Sequence, residues 1–259
     1  MTIWQAILLG AVQGFTEFLP VSSSGHLMLL QHWFGIEQNV MFYSVMLHIG
    51  TLIPVVIVLW KEILSLFKKP FNKFWYLVLA SIPAGVIGVV MSLAFDIDTV
   101  FMENIWLLGI TFLITAGAML FAEMRSKKVE MINPINAKTA LTMGFGQMVG
   151  VVSGISRSGA TITASTIAKV EKNQAANFTF LMSIPIIIAA AGLESFKIVQ
   201  AGTIGQVEIV PLLLGVLTAM ITGYVAIKVM LNLIKKANYK WFSVYLVGIS
   251  IATFITAFV

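Results

Sequence analysis

Two short runs hold most of the side chains in this 259-residue chain that could do chemistry. The first is Ser22-Ser23-Ser24-Gly25-His26, with Gln13 and Glu17 just ahead of it; the second is Ser156-Arg157-Ser158-Gly159. Glycine lets backbone approach a ligand closely or take positive φ. N–H groups at the start of a helix attract anions. Serine hydroxyls donate hydrogen bonds, and a guanidinium offers a planar fork that matches phosphate. Face to face, the two runs could grip a phosphate or diphosphate, with Ser22, Ser24, Gly25, Ser156, Ser158 and Gly159 as binding residues. Serines in such places also cap backbone, so hydroxyls alone do not decide the matter; Arg157 and His26 tip it towards phosphate. His26 can shuttle a proton or attack phosphorus near neutral pH. Gln13 and Glu17 are four apart, on one helical face. Their oxygens could coordinate a divalent cation. One carboxylate and one amide make a thin cage, so a substrate phosphate would have to complete it. An interhelical hydrogen bond is the plainer role for Gln13.

Other chemistry is absent. The chain has no cysteine, so it has no disulfide, thiolate metal site or cysteine nucleophile. No Walker loop, His-Glu-x-x-His helix or G-x-S-x-G elbow appears, and Gly144-Phe145-Gly146 has Val149 where a dinucleotide fingerprint needs its third glycine. His32 is expected near the outer interface, in water. His48, inside an apolar run, is assigned a polar packing role between helices, with cavity lining as the alternative.

These residues need elements to hold them, and the composition says which kind. The chain is 59% hydrophobic and 10% charged, with mean hydropathy +0.96. A soluble domain has about 45–50% apolar and about 25% charged residues. A soluble enzyme, a nucleic-acid binder and a disordered chain are thereby excluded. The expected fold is an all-α polytopic membrane protein. Six stretches are apolar and close to the roughly 20 residues of a membrane span: 41–60, 74–95, 105–122, 174–193, 209–228 and 241–258. Residues 3–36 and 137–168 fit differently. Each reads as a half-helix, a polar break and a second half-helix, and the second break falls at 153–159. Irregular backbone at membrane depth survives only where protein or a water-filled cavity covers it.

Apart from Arg157 and Lys197, every Lys and Arg falls in four segments, around 61–73, 125–138, 169–172 and 228–240. Glu37, Asp96, Asp98, Glu103, Glu194 and Glu208 occupy the other loops. The positive-inside rule places the basic loops in the cytoplasm. The unit at 3–36 then dips in from outside and the unit at 137–168 from the cytoplasm, with opposite orientations. Only Glu17 and Arg157 remain as charges inside the membrane, one in each break. Intramembrane charges are expensive and usually face a polar cavity or one another. A structural ion pair pinning the breaks together is the modest reading; the neighbouring serines and glycines argue for more.

The two units also align. A shift of 134 residues brings Gly10, Gln13, Ser22, Ser24 and Gly25 onto Gly144, Gln147, Ser156, Ser158 and Gly159, and Ser23 onto Arg157. We expect one membrane domain built as an inverted-topology repeat, with repeat 1 over 1–122, repeat 2 over 135–259 and a cytoplasmic linker at 123–134. Inverted repeats whose broken helices meet near the midplane form binding sites in many transporters.

The segment Gln13-Gly14-Phe15-Thr16-Glu17-Phe18-Leu19-Pro20-Val21-Ser22-Ser23-Ser24-Gly25-His26 resembles the first signature of the bacterial undecaprenyl-diphosphate phosphatase family, the bacitracin-resistance type. Gly154-Ile155-Ser156-Arg157-Ser158-Gly159 resembles the second, and the resemblance spans essentially the whole chain. It implies hydrolysis of undecaprenyl diphosphate to the monophosphate carrier of cell-wall synthesis. The site would lie on the outer side of the bacterial cytoplasmic membrane, aided by Mg2+ or Ca2+, with roles for Glu17, Ser23, His26 and Arg157. Two departures stand out. Gln13 takes a position where many members have Glu, and Ser153 a position where the signature has Pro. The expected partners are the polyprenyl substrate and membrane lipids, with room for a homodimer and no nucleic acid. Ser23 or His26 as nucleophile, or His26 activating water, all remain open. The rival activity is a flippase or transporter of undecaprenyl phosphate or a related polyprenyl phosphate, which inverted repeats also suit. A non-catalytic scaffold explains neither the buried charges nor the loop chemistry.

Overall fold

The computed structural model describes residues 1–36, 39–94, 97–201, 207–236 and 238–258. Glu37 and Asp96, counted above among the outer acids, lie outside the described residues. Helices are α1 (Ile3–Phe18), α2 (Ser23–Trp33), α3 (Val40–Val58), α4 (Trp60–Leu66), α5 (Asn72–Ala94), α6 (Ile97–Glu103), α7 (Trp106–Ser126), α8 (Ala137–Val149), α9 (Arg157–Ile167), α10 (Lys172–Ala201), α11 (Ile209–Lys236) and α12 (Lys240–Phe258). No strand is found among the described residues beyond an isolated bridge between Asn133 and Val170.

Each of the six expected spans is a helix: α3, α5, α7, α10, α11 and α12. Five are long and apolar enough to cross a membrane alone, and α3 joins them when counted with α4, into which it bends by 81°. The turn follows composition, because the apolar run ends where Lys61 and Glu62 begin. On α4, Trp60, Lys61 and Leu64 are exposed, the mixture that collects at a membrane–water boundary. A second short helix, α6, occupies the connection on the acid-rich side.

One span is longer than expected. The sequence ends it at residue 122 and leaves Glu123 in the linker, yet α7 continues to Ser126 with Glu123 buried. Its Oε2 accepts the N–H groups of Tyr239 (2.7 Å) and Lys240 (2.5 Å), and its Oε1 accepts from Lys127 Nζ at 2.6 Å. A carboxylate at the N-terminus of α12 is stabilised by the unpaired N–H groups and the helix dipole, so this charge can stay inside the fold.

The two half-helix units form as expected. Thr2 caps α1 in a reciprocal box with Gln5. The helix stops at Phe18 because Pro20 offers no N–H and drives Leu19 into extended backbone, φ −74°, ψ 144°. Ser22 then caps α2. In the second unit α8 ends at Val149, and the break runs from Gly150 to Ser156. The polar segment expected at 153–159 is therefore divided. Ser153–Ser156 belong to the break, while Arg157, Ser158 and Gly159 open α9, because Ser156 is itself a good N-cap. Gly154 is obligatory in this turn: its φ is +82°, and a Cβ there would lie 2.0 Å from Thr111 Oγ1.

Packing repeats the pattern of the halves. α1 lies along α11 as α8 lies along α5, and α3 meets α11 as α10 meets α5. A Cβ on Gly10 would sit 2.2 Å from Gly215 O, and one on Gly144 would sit 2.5 Å from Ala80 O. Backbones pressed this closely replace the hydrophobic drive that lipid removes. Three apolar clusters surround the first break and fix it. Phe18 belongs to one with Met119, Met143 and Phe180; Val21 to a second with Leu108, Phe112 and Leu246; Leu27 to a third with Leu9, Leu47 and Ala219.

Candidate active site

The starts of α2 and α9 are built alike. Ser22 Oγ accepts from Gly25 N at 3.3 Å and Ser156 Oγ from Gly159 N at 3.1 Å. Ser22 and Ser24 pair their hydroxyls at 3.4 Å, and Ser156 and Ser158 do so at 3.2 Å. The capping role weighed for the serines is thus realised at Ser22 and Ser156, and the N–H groups of Gly25 and Gly159 are spent on it. The N–H groups with no acceptor among the described residues are those of Ser23 and Ser24 on α2 and of Arg157 and Ser158 on α9. These are the orphan donors of a first helical turn. The breaks touch: Ser158 Oγ donates to Leu19 O at 3.2 Å, and a Cβ on Gly25 would lie 2.9 Å from Gly154 Cα. Thr115 Oγ1 accepts from Ser156 N at 3.1 Å and ties the second break to α7.

Glu17 is the hub. Its side chain is 1% exposed, and its Oε1 pairs with Arg157 Nη2 across the two units. Its Oε2 accepts from Ser23 Oγ at 2.6 Å and Gln13 Nε2 at 3.1 Å. Ser23 and Arg157, the pair matched by the 134-residue shift, are the first residues of α2 and α9. Both reach the same carboxylate. A buried carboxylate is tolerable only when paired and hydrogen-bonded in this way.

His26 stands apart from that hub. Its Nδ1 is 2.8 Å from Ser22 O and its Nε2 is 2.8 Å from Tyr245 Oη. A ring that donates from Nδ1 to a carbonyl accepts at Nε2, so Tyr245 donates its hydroxyl proton to the bond. The two rings lie nearly parallel, 6° apart, and Phe112 packs beside His26. Both ring nitrogens are therefore engaged with groups other than Ser23 and Glu17.

His48 makes a polar contact between helices, from α3 to α1, and makes it at the hub: its Nε2 lies 3.3 Å from Glu17 Oε2, and its Nδ1 is held 2.7 Å from Ser44 O. Tyr245 and Thr115 carried no sequence signal. His32 is exposed, as expected. For a cation, no group of three or more His, Asp or Glu is found among the described residues. Gln13 Oε1, however, is buried without a hydrogen-bond partner, while Nε2 of the same amide donates to Glu17. With that amide turned over, its oxygen and the carboxylate would make a donor set that suits a hard divalent ion.

The family described as Bacitracin resistance protein BacA matches residues 6–252. The undecaprenyl-diphosphatase of Carboxydothermus hydrogenoformans is 37% identical over 255 residues, 97% of each chain. Undecaprenyl-diphosphatase 1 of Pseudoalteromonas translucida is 34% identical over 270 residues, 99% of this chain and 100% of its own. The undecaprenyl-diphosphatase of Treponema denticola is 36% identical over 266 residues, 97% of this chain and 96% of its own.

Proposed function

We propose that this chain, which belongs to the bacitracin resistance protein BacA family, hydrolyses undecaprenyl diphosphate to undecaprenyl phosphate and inorganic phosphate. It thereby recycles the lipid carrier of cell-wall synthesis and confers bacitracin resistance. The observation that carries this reading beyond kinship is the meeting of Ser23 and Arg157, from two different breaks, on the single carboxylate of Glu17.

The chemistry follows from what each side chain can reach. The terminal phosphate enters beside Arg157 and the free N–H groups of Ser23, Ser24 and Ser158. It draws the guanidinium partly from Glu17 and receives charge stabilisation as the phosphoryl group transfers. Ser23 is the nucleophile best supported by the geometry, because its hydroxyl already donates to Glu17 at 2.6 Å. Its Oγ forms a bond to the terminal phosphorus, and the P–O bond to undecaprenyl phosphate breaks with its electron pair on the leaving oxygen. The serine proton passes to Glu17, late, since phosphoryl transfer is loose and asks little of the base. Water then attacks the phosphoserine, inorganic phosphate leaves, and Ser23 regains its proton. His26, bonded at both nitrogens, acts as a positioning residue for the first turn of α2. Glu17 and Gln13 Oε1 would hold Mg2+ or Ca2+, which when bound neutralises diphosphate charge.

Phosphate release tests the reading. Purified chain in detergent with undecaprenyl diphosphate and Mg2+ or Ca2+ is expected to liberate inorganic phosphate. A flippase needs a sealed bilayer and would liberate none, which would sink the hydrolase reading.

We place the protein in the cytoplasmic membrane with its Lys-bearing loops inside and its site open to the outer side, and we divide it into repeats 1–122 and 135–259. The basis is the loop charge and the paired packing of α1 on α11 and α8 on α5. Because the native chain has no cysteine, single cysteines report cleanly. Membrane-impermeant maleimide on intact cells is expected to label Glu103→Cys and to spare Lys69→Cys, both at exposed positions. The reverse pattern would refute the orientation.

A further inference from the structure

The Glu17 carboxylate has one neighbour that its hydrogen bonds do not explain. His48 sits one turn after Ser44 on α3, and Nδ1 donates to the Ser44 carbonyl at 2.7 Å. The ring so fixed presents Nε2 to Glu17 Oε2 at 3.3 Å. In a neutral ring that nitrogen carries a lone pair, and a lone pair facing a carboxylate oxygen is repulsive unless a proton or a metal cation lies between them. Metal-bound histidines characteristically hold their other N–H on a backbone carbonyl or carboxylate. The separation is also within the ~4.2 Å that two bonds of about 2.1 Å can span, the bond lengths of nitrogen and oxygen ligands at zinc.

Two further facts converge here. Gln13 Oε1 is buried and unpartnered while Gln13 Nε2 points at Glu17 Oε2. Binding of a cation would turn the amide end over, giving up the Nε2 bond to Glu17 in return for an oxygen on the ion. The orphan oxygen would then take the Nε2 place, 3.1 Å from Glu17 Oε2, the oxygen that His48 Nε2 also faces. Glu17 has room: a carboxylate offers about four acceptor positions, and Arg157 and Ser23 use two. Gln13 also leaves the site one carboxylate short of a two-carboxylate cage, so a third donor is needed.

We propose that His48 Nε2 is a ligand of the divalent cation held at Glu17, beside Glu17 Oε2 and Gln13 Oε1. This rests on the cation reading of the preceding subsection. An imidazole ligand moves preference from Mg2+ and Ca2+ towards ions such as Ni2+ and Zn2+, while Mn2+ still suits the two oxygen donors.

Mn2+ alone is the probe, added to the full chain in detergent. Pulsed electron paramagnetic resonance of bound Mn2+ is expected to show coupling to a directly bound nitrogen. Growth on 15N-labelled histidine should convert that coupling to the 15N pattern, with no substitution made. His48→Gln should abolish the coupling and weaken Mn2+ binding by about 10-fold or more, at least what loss of an outer partner of a metal ligand costs. His26→Gln and His32→Gln should keep the coupling. Bound Mn2+ without nitrogen coupling in the wild type, or coupling that survives His48→Gln, would overturn the proposal and leave His48 as a doubly protonated donor to Glu17. Failure of the wild type to bind Mn2+ would remove the cation reading with it. Phosphate release that persists in chelator would show that the hydrolase reading stands independently.

Discussion

Arg157→Lys is expected to lower kcat for phosphate release by about 10²-fold or more, the scale on which a preorganised transition-state donor is missed, while the folded yield in detergent stays near wild type. The two effects separate because lysine retains the charge and loses only the geometry. Arg157 Nη2 holds Glu17 Oε1 across the two breaks. An ammonium can serve there, so the buried carboxylate is not stranded. Arg157→Ala would strand it, at a cost of about 3–5 kcal/mol, and confound activity with folding. The guanidinium has five donors in a rigid fork. It can keep one on Glu17 and turn others to the transferring phosphoryl group, whereas a point charge must choose. Turnover at saturating substrate and thermal unfolding, measured on one preparation, read the two consequences. Near-wild-type turnover would reduce Arg157 to a counter-ion and cut the second break out of the chemistry.

The parts of this site that were legible in the sequence are those written locally. Pro20 ends α1, Ser22 and Ser156 start α2 and α9, and each acts within four residues of itself. Glu17 and Arg157 found each other on paper because no other charges are left in the apolar stretches. The 134-residue shift announced paired chemistry, and the structure gives it atoms: matched caps, matched hydroxyl pairs, and two first-turn residues aimed at one carboxylate. What was hidden depends on which face of a helix meets which neighbour. His48 lies in a run of apolar residues, and nothing in that run says that its side of α3 packs against α1. Tyr245 is 219 residues from His26 and looks like any aromatic in a span. Thr115 is 41 residues from the backbone it caps. Glu123 appeared to belong to a loop because only the later start of α12 makes its burial affordable.

Arg157 and Ser23 occupy equivalent places in the two half-sites, yet they differ in kind, and that asymmetry matters for catalysis. A symmetric pair of serines would bind phosphate without a cation, and a symmetric pair of arginines would bind it without a nucleophile. One of each, on a shared carboxylate, supplies both. Glu17 has no counterpart in the second unit, where the shift leads to Val151. One carboxylate therefore serves both halves, and the reaction has one place to occur.

Ser23→Ala is accordingly expected to lower turnover by about 10³-fold or more, the order of loss when a nucleophile acting as part of a unit is removed. Its structural cost should be small. Ser23 gives Glu17 one hydrogen bond of 2.6 Å, while Arg157 remains on the carboxylate. Loss of one such bond costs about 1–3 kcal/mol, and the cap of α2 belongs to Ser22. A rate defect alone would not distinguish a nucleophile from a hydrogen-bond donor that positions water, so the intermediate must be sought. Undecaprenyl diphosphate labelled with 32P in its terminal phosphate, quenched in acid within one turnover, should leave acid-stable label on the wild-type chain, in the peptide that contains Ser23. Ser23→Ala should carry none. If water attacks directly, no labelled protein forms in either chain, and Ser23→Ala should lose only about 10-fold, the worth of one modest hydrogen bond. That pair of results would return the nucleophile to water and leave Glu17, still bonded to Arg157, as the group that takes its proton.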